Sequence, residues 1–248
     1  MKAIITDLDR TLLHTDKSVS DYTVQVLNRC REKGIRILAA SARPLRDLHR
    51  FYGYLGFDAI TATNGAVVQL PDGIVQTGLS RQSGEKILSE LMQFPDLFLS
   101  METSRGFYAN RDIPQWEPVI YDEFPRLPEN CVLYKILASS KERPLYEGVE
   151  GILTEDAYYT IATNDLVQVM SREATKWSGI QKMLAHFGID PEDTVFFGDD
   201  NDDIEPIQKC GLGVAVANAI PAVLQIADRV TGSNDEDGVA RFIEKYIL

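Results

Sequence analysis

Two acidic runs, each placed directly after a short apolar stretch, carry the chemistry visible in this sequence. Ala3-Ile4-Ile5-Thr6 is β-rich and halts at Asp7-Leu8-Asp9, and Thr194-Val195-Phe196-Phe197 halts in the same way at Gly198-Asp199-Asp200-Asn201-Asp202-Asp203. Strand ends are where open α/β sheets place their reactive groups, and the alternation of side chains there points Asp7 and Asp9 toward one crevice. Carboxylates gathered in one place repel one another and stay partly protonated unless a cation holds them. A hard divalent ion with oxygen ligands suits such a group, and Mg²⁺ is the economical inference. Acidic residues also cap helices and fill turns, and for Asp202 and Asp203, just ahead of a helix, that plainer reading stays open.

The elements that must position these groups follow from apolar spacing. Tyr22, Val26, Leu27 and Cys30 predict a helix over residues 21–33 closed by Gly34, followed by a strand over 35–40. Ser41-Ala42-Arg43-Pro44 leads into a helical stretch with Leu45, Leu48 and Phe51 on one face. A third strand spans 59–62, and residues 67–70 and 74–77 read as a hairpin around Pro71-Asp72-Gly73. Between about 81 and 171 the texture changes. Pro114, Pro118, Pro125 and Pro128 cluster, and strands at 107–110 and 132–138 follow with few helices. The first pattern then resumes with helices at 176–187, 203–209 and 219–227, strands at 194–197 and 213–216, and a final helix ending at Leu248. The predicted architecture is α/β: a doubly wound, mostly parallel, Rossmann-like sheet core formed by residues 1–80 and 172–248, with an inserted α+β cap domain at 81–171.

Composition narrows the function classes. The chain has 248 residues, 44% hydrophobic and 25% charged, with 25 Lys and Arg against 37 Asp and Glu for a formal charge of −12. That charge repels a phosphate backbone over most of the surface and argues against nucleic acid as a partner. Cys30, Cys131 and Cys210 have neither disulfide-framework nor zinc spacing, which suggests a reducing compartment. With no leader-like start and no apolar run of about 20 residues, no membrane association is expected and the location is read as cytoplasmic.

The string Asp7-Leu8-Asp9-Arg10-Thr11-Leu12, with Ser41-Ala42-Arg43-Pro44, Lys176, and Gly198-Asp199 through Asp203 in that order, resembles the four signature motifs of the haloacid-dehalogenase-like phosphohydrolases. It is most similar to the Cof-type sugar-phosphate phosphatases, whose cap is inserted after the third core strand. Asn64-Gly65-Ala66 and the run from Gly213 to Ala219 extend the likeness. The resemblance implies a phosphatase for small phosphorylated metabolites in which Asp7 is the nucleophile and forms an aspartyl-phosphate. Asp9 becomes the acid that protonates the departing alcohol and then the base toward water, a role that demands a raised pKa. It places the metal on one Asp7 oxygen, the backbone carbonyl of Asp9, and Asp199, with Asp203 and Asp202 orienting the surrounding water or substrate. Ser41 and the Ala42 N–H are implied as donors to the phosphoryl group, Lys176 as its neutralising cation, and Arg43 as a fork for phosphate or a substrate hydroxyl.

Plainer roles remain open: a helix N-cap for Ser41, a surface ion pair for Arg43, a solvated side chain for Lys176, and a turn-shaping role for Asn64. The three histidines have no spacing that suggests a pair. Arg10 stands where the family usually has Gly, and it either points to solvent or projects over the crevice. A phosphomutase of the same architecture and a non-catalytic metabolite-binding module are the rival readings, and oligomeric state is not legible.

Overall fold

Strand β1 (Ala3–Thr6) is buried along its whole length and lies inside an eight-stranded sheet. On one side of it come β2 (Arg36–Ala40), β3 (Ala59–Ala62), β4 (Val67–Leu70) and β5 (Gly73–Gln76); on the other come β12 (Thr194–Gly198), β13 (Leu212–Ala215) and β14 (Arg229–Val230). The pairs from β14 through to β3 are parallel, and β4 runs antiparallel to β3. The chain therefore travels outward from β1 in one direction before the insertion and in the other after it. That reversal puts a topological switch point between β1 and β12, where ligands of open α/β sheets bind. The computed structural model describes residues 1–113, 116–140, 145, 148–162 and 166–248, so Pro114 of the proline cluster lies outside the described residues.

Near-continuous apolar strands are what a sheet covered on both faces requires. Phe196 and Phe197 in β12 and Ile4 and Ile5 in β1 are fully buried, each contributing about 1.5–3 kcal/mol relative to exposure. Helix α1 (Asp21–Glu32) begins where Ser20 accepts from the Thr23 N–H, and it buries Val26, Leu27 and Cys30. Helix α2 spans Leu45–Leu55. Helix α4 (Lys176–Phe187) starts from a reciprocal cap between Thr175 and Ser178 and stops at Gly188, whose φ of 63° a side chain would strain.

Helix ends differ from the sequence expectations for local reasons. Helix α6 runs only Pro221–Ile226 because proline favours the first turn and lacks the N–H an interior position needs. Helix α5 begins at Ile204, after a 3₁₀ turn over Asn201–Asp203, and α7 (Gly238–Tyr246) stops short of Leu248. Among the described residues no helix is long and apolar enough to cross a membrane.

Two compact units divide the chain: Met1–Val75 with Thr175–Leu248, and Gln76–Ala174. The second has its own six-stranded sheet, in the order β10 (Ala157–Ala162), β11 (Leu166–Ser171), β9 (Leu133–Ser140), β6 (Leu97–Thr103), β7 (Gly106–Ala109) and β8 (Val119–Ile120). Ile87, Leu88 and Leu91 of helix α3 (Arg81–Leu91) share a core with Leu99, Met101, Ile136, Val167 and Val169 of that sheet. This is α+β packing with a separate core.

Within the first unit, the loop after β3 and the start of α4 approach so closely that only glycine fits. A Cβ on Gly65 would lie 1.9 Å from the Thr175 carbonyl oxygen, and its φ of 99° is in the left-handed region. Gly65→Ala should therefore cost about 2–4 kcal/mol, read as a lowered urea midpoint at unchanged slope. A midpoint shift below about 0.5 kcal/mol equivalent would show that the loop relaxes freely.

Candidate active site

Strand register brings the two acidic runs together. Thr6 lies opposite Phe197 across the β1–β12 pair, and the Asp7 N–H donates to the Phe197 carbonyl at 2.9 Å. Ligand oxygens of Asp7, Asp199 and Asp203 all lie within 4.8 Å of one another, and all three residues are buried. Asp203 reaches inward because Gly198 leaves room: a Cβ there would be 2.6 Å from the Asp203 carboxyl carbon. One Asp203 oxygen accepts from the backbone N–H groups of Asp199 and Asp200 at 2.8 and 3.1 Å, and the other from Lys176 at 2.5 Å. The capping role open to this run is shared by Asp200, whose side chain accepts from Asn201, and Asp203, whose side chain accepts from the Asp200 N–H in a reciprocal cap.

Lys176 opens α4 with its side chain 2% exposed, which removes the solvated alternative. Its ammonium lies 3.0 Å from Asp7, 3.2 Å from Asp202 and 2.5 Å from Asp203. A cation at a helix N-terminus opposes the dipole, and this concentration of carboxylates is what makes it favourable. Burial works against its charge, but Asp202, Asp203 and Asp7 outweigh it and hold the ammonium well above its ordinary pKa. Burial likewise pushes the Asp7 carboxyl well above the usual carboxylate range, against Lys176 and with help from Asp203, Asp202 and Asp199. Asp203 is raised to about 6, chiefly by burial, and Asp199 is also raised by burial. One ammonium thus pairs with three carboxylates, and Asp199 lies beside them. Three buried oxygen donors with uncompensated negative charge are a donor set suited to a hard divalent cation.

Asp9 behaves otherwise. Its carboxylate lies outside the trio; the resemblance placed only its backbone carbonyl on the ion. Arg43 grips it with Nε at 2.5 Å and Nη2 at 2.6 Å, and Lys17 donates at 2.7 Å. Burial raises its pKa, yet the bonds from Arg43 and Lys17 win and leave it below its ordinary value. The raised pKa expected for a proton donor is therefore not found in this arrangement, because two cations meet on this one carboxylate. Arg43 forms an ion pair, as its plainer reading allowed, but a bidentate one inside the site.

Ser41 is 1% exposed, and its Oγ accepts from the Arg43 N–H at 3.1 Å, a local turn bond that leaves the hydroxyl hydrogen able to donate. Ala42 lies between them in the same turn. Its loop is tied to the next one by Thr63 N to the Arg43 carbonyl and Asn64 N to the Ser41 carbonyl, at 2.8 and 3.2 Å. Asn64, at φ 54°, donates to Asp202 at 2.8 Å, so it positions an acid of the cluster as well as shaping the turn.

Three contributors were not singled out by sequence. Thr11 donates to Asp199 Oδ1 at 2.7 Å, Lys17 binds Asp9, and Asn218 receives a hydrogen bond from Arg10. Thr11 and Asn218 lie inside the quoted motif runs, whereas a lone lysine eight residues from Asp9 carries no signal. His14 Nε2 lies 3.0 Å from Asp237 Oδ1.

Residues 4–243 match the family model of the haloacid dehalogenase-like hydrolases, and the chain belongs to that family. Relatives matched over nearly the chain's whole length include the 'Putative phosphatase YxeH' of Bacillus subtilis, 27% identical over 272 residues. The 5-amino-6-(5-phospho-D-ribitylamino)uracil phosphatase YitU of Bacillus subtilis is 27% identical over 260 residues, covering 98% of this chain and 96% of its own. A phosphoglycolate phosphatase of Methanopyrus kandleri is 26% identical over 245 residues, covering 98% and 96%. Among solved structures, a haloacid dehalogenase-like hydrolase from B. subtilis shares the fold at TM-score 0.86 and 24% identity over 100% of both chains. The HAD subclass IIB sugar phosphatase BT4131 shares it at 0.83 and 21%, over 99% of each.

Proposed function

We propose that the protein hydrolyses small phosphorylated metabolites, sugar phosphates first, in a Mg²⁺-dependent reaction that passes through an aspartyl-phosphate on Asp7. The observation that carries this reading is the Asp7 carboxyl at the switch point, 3.0 Å from a buried ammonium and grouped with Asp199 and Asp203. An Asp7 oxygen attacks phosphorus while the P–O bond to the alcohol breaks and Asp9 gives that oxygen a proton. Water, deprotonated by Asp9, then attacks the phosphorus of the acyl phosphate, releasing inorganic phosphate and free Asp7. Lys176 holds the nucleophile and offsets phosphoryl charge, and Ser41 with the Ala42 N–H donates to phosphoryl oxygens. Mg²⁺ held by Asp7, the Asp9 carbonyl and Asp199, with Asp203 and Asp202 beside them, supplies positive charge against the phosphoryl oxygens. A phosphate entering beside Arg43 competes with Asp9 for the guanidinium, which frees Asp9 Oδ2 to take up a proton while Lys17 stays on Oδ1.

The inserted unit chooses the leaving group in this reading, and the cytoplasm is the setting, consistent with three free cysteines. A screen of phosphorylated metabolites with and without Mg²⁺ tests it: inorganic phosphate should appear only with the ion. Isomer interconversion without phosphate release would indicate a mutase instead.

Metal binding itself should be visible in stability. Protons and the cation compete for the same oxygens. A carboxyl raised in the folded state, such as Asp203 at about 6, contributes stability that is present below its unfolded value of 3.8 and lost as pH rises through about 6. The metal-free protein loses that contribution across this window, and Mg²⁺ restores it by binding the ionised form. The Mg²⁺-induced rise in Tm should therefore be small at pH 4.5 and large at pH 7.5, equivalent to about 2.7 kcal/mol when the ion is at 100 times its Kd. Equal shifts at both pH values would count against a site built from these acids.

A further inference from the structure

We infer that Arg10 is a specificity residue that binds a second anionic group, such as a carboxylate, on the phosphorylated substrate. The inference rests on the phosphatase reading and narrows its substrate class.

The cations around the cluster differ in how far they are committed. Lys176 is bonded to Asp7 and Asp203 and paired with Asp202, while Arg43 and Lys17 both hold Asp9. Arg10 is the exception among the described residues. Its Nη2 donates to the Asn218 carbonyl at 3.2 Å, and its Nε stands 3.8 Å from Asp199 Oδ2, beyond hydrogen-bond range, with the side chain 54% exposed. A guanidinium has five N–H donors in a fork suited to carboxylate or phosphate. Among the described residues, one of these donors has a hydrogen-bond partner.

The base of the side chain is fixed even though its end is not. Arg10 sits at φ 61°, a left-handed conformation uncommon for a long side chain, and its carbonyl accepts from Asn218 Nδ2 at 2.8 Å. Asn218 Oδ1 in turn accepts from the Asn234 N–H at 2.9 Å, so two loops brace the point from which the guanidinium projects. Among the described residues Asp199 is the only counter-charge within 4 Å, and it belongs to the carboxylate trio. With Asp199 committed to a divalent cation, Arg10 keeps a single carbonyl bond and its charge is available to an incoming anion.

That anion is distinct from the phosphoryl group under attack. The transferring group must meet Asp7, whose paired cation is Lys176 at 3.0 Å, whereas Arg10 approaches Asp199, at 3.8 Å. On a chain of net charge −12, a local cation also favours a doubly anionic substrate at the site.

The test compares 3-phosphoglycerate with glycerol 3-phosphate, which differ in whether the group remote from phosphate is a carboxylate or an alcohol. In the Mg²⁺-loaded protein the ratio of their kcat/KM values should fall about tenfold to a hundredfold in Arg10→Gln, with Arg10→Lys between the two. The Kd of 3-phosphoglycerate relative to that of glycerol 3-phosphate should rise correspondingly, measured by calorimetry on Asp7→Asn against Asp7→Asn/Arg10→Gln, a readout that needs no turnover. An unchanged ratio, equal losses for both phosphates, or no binding of either would overturn the assignment. Failure of the phosphatase reading is separately visible as wild-type protein that releases phosphate from no phosphomonoester.

Discussion

Replacing Asp7 by asparagine is expected to lower phosphate release by at least about 10³-fold while leaving the protein folded and as stable as before or more so. An amide cannot form the acyl phosphate, so the covalent route closes. The stability half of the expectation has a different cause. Asp7 is buried among Asp199, Asp202 and Asp203, its charged form is disfavoured, and an uncharged group of the same shape relieves that repulsion. The amide oxygen can still accept from Lys176, which lies 3.0 Å from the present carboxylate. Phosphate-release kinetics on a generic aryl phosphate, with Tm measured in Mg²⁺-free buffer, checks both halves. Turnover within tenfold of wild type would remove Asp7 from the nucleophile's role.

Lys176→Met should do the opposite to stability and also abolish activity. Removing the ammonium leaves Asp7, Asp202 and Asp203 without their shared counter-ion, and stripping one partner from a buried charge group costs about 3–5 kcal/mol. The penalty depends on pH with a definite sign. Loss of the cation raises the folded-state pKa of Asp7 and Asp203 further, and a raised carboxyl contributes stability present below its unfolded pKa and lost as pH rises through the folded one. The deficit should therefore be small near pH 4.5 and grow toward pH 8. Urea denaturation of wild type and variant at the two pH values measures it, and a deficit independent of pH would mean that Lys176 supports the fold by packing alone.

The sequence by itself determined the sheet and the placement of its acids. Four- and five-residue apolar runs such as 3–6 and 194–198 are buried through their length, so their burial follows from local composition, and whatever follows them stands at the carboxyl end of the sheet. Asp7 and Asp199 were legible for that reason, whereas Lys176 was legible only through the motif resemblance. The interruption was legible too, because a proline-rich texture with its own strands cannot continue a βα repeat.

Only the tertiary structure decided how the charges pair. Arg43 and Lys17 reach Asp9 from 34 and 8 residues away, and Asn64 reaches Asp202 across 138. These contacts depend on loop dihedrals that composition does not specify, among them the left-handed conformations at Arg10, Lys17 and Asn64. The same contacts set whether a carboxyl is raised, like Asp203, or lowered, like Asp9, because burial and charged neighbours act through distances of a few ångströms. Residue types name the available chemistry; proton affinity and charge pairing are properties of the folded arrangement.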